Sequence, residues 1–74
     1  MIVSDPKSFG QAVRRYRKMR GATQVQLAGV ANTGLRFIID LEKGKPTVQL
    51  GKALRVAYVL GIQFEVPGID EVES

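Results

Sequence analysis

An all-α bundle of four to five short helices, followed by a C-terminal β-strand, is the fold class that this 74-residue sequence predicts. Three observations predict it. Four segments carry apolar residues at helical spacing, separated by breaks at Gly21, Asn32 to Gly34, Gly44 to Pro46, and Gly61. The starts of the first two segments carry helix-cap signatures. After Gly61 the apolar period drops to two, the mark of a half-buried strand. With no repeat, low-complexity tract or linker, the chain divides as one helical domain over 1–61 and a strand with an acidic tail over 62–74.

The first helix runs from about Pro6 to Arg20. Asp5 is its N-cap, and Pro6 occupies the first helical position, where its missing N–H costs nothing. Phe9, Val13 and Tyr16 form one apolar stripe with Met19 beside it, while Arg14, Arg15, Arg17, Lys18 and Arg20 crowd the other faces. Gly21 ends it. The second helix covers about Gln24 to Ala31. Thr23 and Gln26 make the T-x-x-Q capping box, and Leu27, Ala28 and Ala31 form a narrow inner face. The third spans about Leu35 to Lys43 and stops at Gly44. The fourth starts after Pro46 with Thr47 as its cap and ends near Leu60, with a stripe of Leu50, Ala53, Leu54, Ala57 and Leu60. Gly51 weakens it slightly.

In "IQFEV" the apolar residues Ile62, Phe64 and Val66 alternate with Gln63 and Glu65. A lone strand leaves its backbone N–H and C=O groups unpaired, and the chain offers no second strand. Two arrangements answer this. Either two copies pair these strands in a ribbon and form a two-fold homodimer, or the segment packs on the helices as an extended tail.

Charge is the first sign of a partner. Residues 1–64 hold all eleven Lys and Arg but only Asp5, Asp40 and Glu42, a net of +8. The last ten residues hold Glu65, Asp70, Glu71 and Glu73 and no cation, a net of −4. A basic body of this kind suits a polyanion. An enzyme fails on inventory: there is no His and no Cys, no phosphate or dinucleotide fingerprint, and the few carboxylates are scattered or in the tail. No cofactor and no metal is called for. No long apolar run argues for a membrane, so the cytoplasm is the expected location. RNA would want exposed aromatic platforms, and Phe9, Tyr16, Phe37 and Phe64 read as core, with Tyr58 ambiguous.

The stretch "GLRFIIDLEKGK" has apolar residues on too many sides for a plain surface helix. Ile38 and Leu41, with part of Phe37, suit a core, which leaves Leu35, Arg36, Ile39 and Asp40 together on the outside. Two short helices with a tight link have the size of a helix-turn-helix, whose second helix enters the DNA major groove. On that reading Arg36 either donates two hydrogen bonds to guanine or meets a phosphate. Leu35 and Ile39 either pack on thymine methyl groups or on protein. Asp40 either accepts from a cytosine amino group or orients Arg36 four residues back. Lys43 and Lys45, beside the turn after this helix, either meet phosphate by charge or belong to a solvated loop, and Arg20 is a weaker phosphate candidate.

"TQVQLAGVANTGLRFIIDLEKGK" resembles the helix-turn-helix of the Xre/Cro-like repressors. It carries their T-Q-x-x-L-A opening at Thr23, Gln24, Leu27 and Ala28, and their I-x-x-L-E-x-G-K ending at Ile38, Leu41, Glu42, Gly44 and Lys45. The flanking "FGQAVRRYRKMRG" and "LGKALRVAYVLGI" also fit, so the resemblance covers about residues 6–62. It implies a lambda-repressor-like bundle, a sequence-specific repressor and double-stranded DNA as partner, bound as a homodimer at a palindromic operator. The "RFIIDLEKGKPTVQLGKALRVAYVLGI" half with its strand-like tail looks most like the HipB-like antitoxins, which repress their own operon and bind a HipA-type kinase toxin. The resemblance also implies individual roles. The arginine matching Arg17 pairs with the glutamate matching Glu42, away from water. The residue matching Gln24 binds a DNA phosphate at the start of the second helix. Three positions depart from the pattern: Gly34 replaces the usual Ser or Thr cap, Asn32-Thr33 replaces a Gly with an aliphatic, and Ala22 replaces a Leu. Gly34 leaves a backbone N–H open to phosphate or base while weakening the cap.

Overall fold

The computed structural model describes residues 5–63. They form α1 (Pro6–Met19), α2 (Gln24–Val30), α3 (Leu35–Glu42) and α4 (Leu50–Leu60). At the start of α1 the Asp5 carboxylate accepts from the Ser8 N–H at 2.7 Å, and the Ser8 hydroxyl sits 3.1 Å from the Asp5 N–H. These bonds to Ser8 hold the Asp5 carboxyl below its ordinary pKa. The cap's help is therefore present above the unfolded pKa of Asp5 and is lost as pH falls through the lowered one. Thr23 and Gln26 close the second capping box in the same reciprocal way.

The helices end alike. In each case a residue of positive φ — Gly21, Asn32, Gly44 or Gly61 — follows the last turn. The next N–H then reaches back five residues: Ala22 to Arg17, Thr33 to Ala28, Lys45 to Asp40, and Ile62 to Ala57. This satisfies carbonyls that a helix end leaves open and turns the chain sharply. Asn32, the one non-glycine, is among the side chains that tolerate this region.

α1 packs on α3 and α4, and α3 packs on α2. Val13, Ile38, Leu41, Val56 and Leu60 are the largest fully buried side chains, with Ala12, Leu27, Ala28, Ala31, Ala53 and Ala57 filling the gaps between helices. Phe9, Tyr16 and Phe37 line this core partly buried.

One expectation needs correction. α4 does not begin after Pro46 on a Thr47 cap. It begins at Leu50, its N-cap is Gln49, and no side chain caps it. The buried face of α4 is Ala53, Val56, Ala57 and Leu60, while Leu50 and Leu54 are 70% and 47% exposed. The expected C-terminal strand, Ile62 to Val66, starts at the edge of the described residues. Phe64 and Val66 lie outside the described residues, and no strand occurs among the described ones. Ile62, the first residue assigned to that strand, is buried in its own chain's core and donates its N–H to the Ala57 carbonyl at 2.9 Å. Such an apolar contact commonly accompanies this kind of helix end.

One feature inside α1 is a glycine where helix propensity favours alanine by about 1 kcal/mol. A Cβ on Gly10 would lie inside the contact distance of the Leu41 carbonyl oxygen and 2.9 Å from that of Glu42. Gly10 is what lets α1 approach the end of α3. Gly10→Ala should therefore destabilise the protein by about 1–3 kcal/mol in urea unfolding, as overpacking does. A rise in stability would contradict this reading.

Candidate nucleic-acid interface

The last residue of α3, Glu42, is held by two other helices. Arg17 from α1 donates through Nε to Glu42 Oε2 at 2.6 Å and through Nη2 to Oε1 at 3.0 Å. The third guanidinium nitrogen, Nη1, donates to the Ala22 carbonyl in the loop before α2 at 2.8 Å. Gln24, the first residue of α2, donates its side-chain amide to Glu42 Oε1 at 3.1 Å. The Arg17 and Glu42 side chains are only 10% and 5% exposed. The hydrogen bonds to Glu42 raise the Arg17 pKa above its ordinary value, against the desolvation that lowers it. The raised pKa means that the arginine's own part is present below its unfolded pKa and is lost as pH rises through the folded one, far above any working pH. Among the described residues no buried side-chain polar atom lacks a partner.

With its end pinned, α3 turns Ile38 and Leu41 inward and presents the opposite side. Arg36 is 77% exposed at its side chain, and Leu35 is 42% exposed. Ile39 and Asp40 are half-buried beside them. The structure brings Arg36 and Asp40 together, with Arg36 Nε 3.5 Å from Asp40 Oδ1. Lys45 Nζ approaches Oδ2 of the same carboxylate at 3.7 Å. Exposed pairs of this kind contribute well under about 1 kcal/mol, so their value is orientation. Arg36 meets Asp40 through its inner nitrogen, leaving the terminal amino groups at the end of the side chain.

At the other end of α3, Gly34 is the N-cap with no side-chain cap bond. Nothing lies within 4 Å of where its Cβ would be. The first turn of α3 thus shows open backbone N–H groups. Gln24 stands at the α2 start with one amide hydrogen committed to Glu42 and a second still available, since an amide carries two. Lys43 is exposed at the C-cap of α3. Arg20 sits elsewhere: its guanidinium lies over the Tyr16 ring, 6.0 Å from the centroid. It also borders an apolar cleft of about 210 Å³ formed with Ala22, Gln26, Leu27, Val30, Val59 and Leu60, none of them from α3.

Sequence reasoning missed two supports. Arg55 of α4 donates through Nη1 toward the Ala31 and Asn32 carbonyls at 3.3 and 3.4 Å, and so braces the turn that leads into α3. No spacing rule connects position 55 to position 31. The second is the Gln24–Glu42 bond, which becomes visible only once α2 and α3 are placed.

No protein-family model matches the chain. The chain is 48% identical over 64 residues to an uncharacterised HTH-type transcriptional regulator, y4mF, of Sinorhizobium fredii. That match covers 86% of this chain and 84% of the relative. It is also 41% identical over 56 residues to an immunity repressor protein of Bacillus phage phi105, covering 76% of this chain and 39% of that protein.

Removing one partner of the buried pair leaves an uncompensated charge. Arg17→Met or Glu42→Leu alone should cost about 3–5 kcal/mol by thermal or urea unfolding, whereas the double variant should recover much of the loss. Single losses near zero would mean that the pair behaves like an exposed one.

Proposed function

The chain belongs to the HTH-type transcriptional regulators, and on that premise we propose that it is a sequence-specific repressor that binds double-stranded DNA as a homodimer on a palindromic operator. One observation carries this reading. α3 buries Ile38 and Leu41 yet holds Leu35, Arg36, Ile39 and Asp40 on its outer side. The relationship to a phage immunity repressor supports repression as the outcome.

In this reading α3 enters the major groove and α2 crosses the backbone. Arg36 donates to guanine O6 and N7, and Asp40 aims it. Leu35 and Ile39 contact thymine methyl groups. Gln24 and the open N–H groups at Gly34 take phosphate oxygens at two helix starts. Lys43 and Lys45 add phosphate contacts after α3, and Arg20 adds charge rather than a placed contact. Ile62, Phe64 and Val66 remain the proposed dimer strand, with Ile62 serving as its anchor in the core. Repression needs no chemistry: the bound dimer blocks transcription in the cytoplasm.

The resemblance of the second half to HipB-like antitoxins adds a finer reading, in which the same protein neutralises a HipA-type kinase toxin. Copurification with the product of a neighbouring gene decides it. An alternative to the antitoxin is a stand-alone phage-type regulator, which the similarity to the phi105 protein supports.

Binding to a panel of single-base-pair variants of the selected operator tests the residue roles. Arg36→Ala should remove about 1–3 kcal/mol of discrimination at one or two base pairs and keep it elsewhere. Lys43→Ala and Lys45→Ala should weaken every duplex equally and each reduce the salt slope by about one. Uniform weakening by Arg36→Ala would reassign it to phosphate.

A further inference from the structure

α1 carries a cationic face that the α3 interface does not use. At 100° per residue Arg14, Lys18 and Arg15 fall within an arc of roughly 100°, on the side of α1 away from buried Ala12 and Val13. All three are exposed, and α1 holds no Asp or Glu. Most other cations of the body are occupied. Arg17 pairs with Glu42, and Arg36 and Lys45 approach Asp40. Arg55 reaches two carbonyls, while Arg20 and Lys52 lie over aromatic rings. Among the described residues Arg14, Arg15 and Lys18 form no ion pair. Like charges at i and i+4 destabilise a helix, so Arg14 and Lys18 gain from an anion placed between them.

The sequence supplies a matching anion. Asp70, Glu71 and Glu73 stand together, with no cation among the last ten residues. They lie outside the described residues, but the place from which the chain leads to them is set. Ile62 is buried in the core. Gly61 sits against α1: a Cβ there would lie 3.2 Å from Nη2 of Arg20, the C-cap of α1. The described chain therefore ends beside the end of α1 that bears Lys18. The step from Gln63 to Asp70 is seven residues, a reach of at most about 25 Å. Arg14 lies only about 6 Å along α1 from Lys18. The reach suffices even if residues 62–66 are held in a strand. A free acidic partner has to find this face by diffusion, whereas a tethered segment is present at an effective concentration on the order of millimolar.

We propose that the acidic segment, residues 70–73, docks in cis on the outer face of α1, with its carboxylates against Arg14, Arg15 and Lys18. Each such exposed pair is weak and screened by salt, so the contact opens and closes rather than locking. Its consequence is competition. Sequence-independent binding to DNA grows with the number of phosphates neutralised, and the docked segment withholds three cations from it. Arg36, on α3, is left free to reach base edges. The segment thus lowers affinity for unrelated duplexes more than for the operator. This consequence rests on the operator reading given above; the contact itself does not.

The contact is tested in the full chain without DNA. The chain has no cysteine, so a nitroxide on Ser74→Cys labels the segment alone. Amide resonances of α1 from Arg14 to Lys18 should broaden more than those of α3. The excess should disappear in high salt, and also when Asp70→Asn, Glu71→Gln and Glu73→Gln are combined. Anisotropy with a scrambled duplex at low salt then reads the competition. Neutralising the segment should tighten binding about tenfold, the combined effect of three exposed pairs. The gain should be much smaller when Arg14→Gln, Arg15→Gln and Lys18→Gln are also present, because the two sets of substitutions remove the same contacts. Equal broadening of α1 and α3, or an excess that survives neutralisation, would overturn the proposal. So would an equal gain in both backgrounds, which is what net charge alone would produce. Failure to bind any duplex would instead count against the operator reading, with the broadening still deciding the contact.

Discussion

The Arg17 guanidinium is the point on which the arrangement turns. Its Nε and Nη2 hold Glu42 at the end of α3, and Nη1 holds the Ala22 carbonyl before α2. Gln24 closes the triangle from the α2 start. Buried ion pairs seldom stabilise a fold more than well-packed apolar side chains of the same size. What this one supplies is direction. A leucine at position 42 would tolerate small rotations of α3, whereas a bidentate pair has one geometry. Gly10 reinforces it by letting the α1 backbone touch the same end of α3. α3 is therefore fixed at its C-terminus, while its N-terminus is capped only by Gly34, with Leu35 and Arg36 exposed beside it.

The same economy governs the connections. A body of about 60 residues hides a small fraction of its surface compared with larger domains, so long loops would dilute the core further. The four helix ends repeat one tight hydrogen-bond pattern, and each redirects the chain within two or three residues. Arg55 then braces the turn between α2 and α3 through two carbonyls. The outcome is a rigid pair of helices set in a body of net positive charge. That suits a partner whose backbone is uniformly negative and whose grooves are read by side chains held in fixed positions.

Much of this was legible in the sequence. The first three helices follow the predicted spans to within a residue at each end, because Asp5-Pro6, Thr23-x-x-Gln26, Gly21 and Gly44 state their boundaries locally. The inward residues Leu27, Ala28 and Ala31 of α2 and Ile38 and Leu41 of α3 are legible from helical spacing. α4 offers two apolar faces of equal merit in the sequence. Leu50, Ala53, Leu54 and Ala57 fit helical spacing as well as Ala53, Val56, Ala57 and Leu60 do, and only packing against α1 chooses between them. Thr47 looked like a cap from its residue type, but the chain runs on through Val48 and Gln49 before α4 starts. Ile62 alternates with its neighbours as a strand residue would, yet the turn at Gly61 folds it into the core. In the candidate site, the exposed quartet on α3 could be read from its excess of apolar sides. Whether Asp40 faces Arg36 could not, since both the base-directed and arginine-directed readings share the same spacing. The structure sets the two side chains 3.5 Å apart.

Fluorescence anisotropy on the DNA upstream of the protein's own coding sequence, against a scrambled duplex across a salt series, tests the central claim most directly. A specific repressor should prefer the native duplex by a thousandfold or more, the usual margin of specific over non-specific sites. The preference should persist as salt weakens both. Equal binding to the two duplexes, falling steeply together with salt, would reduce the exposed face of α3 to an electrostatic footprint and contradict the account.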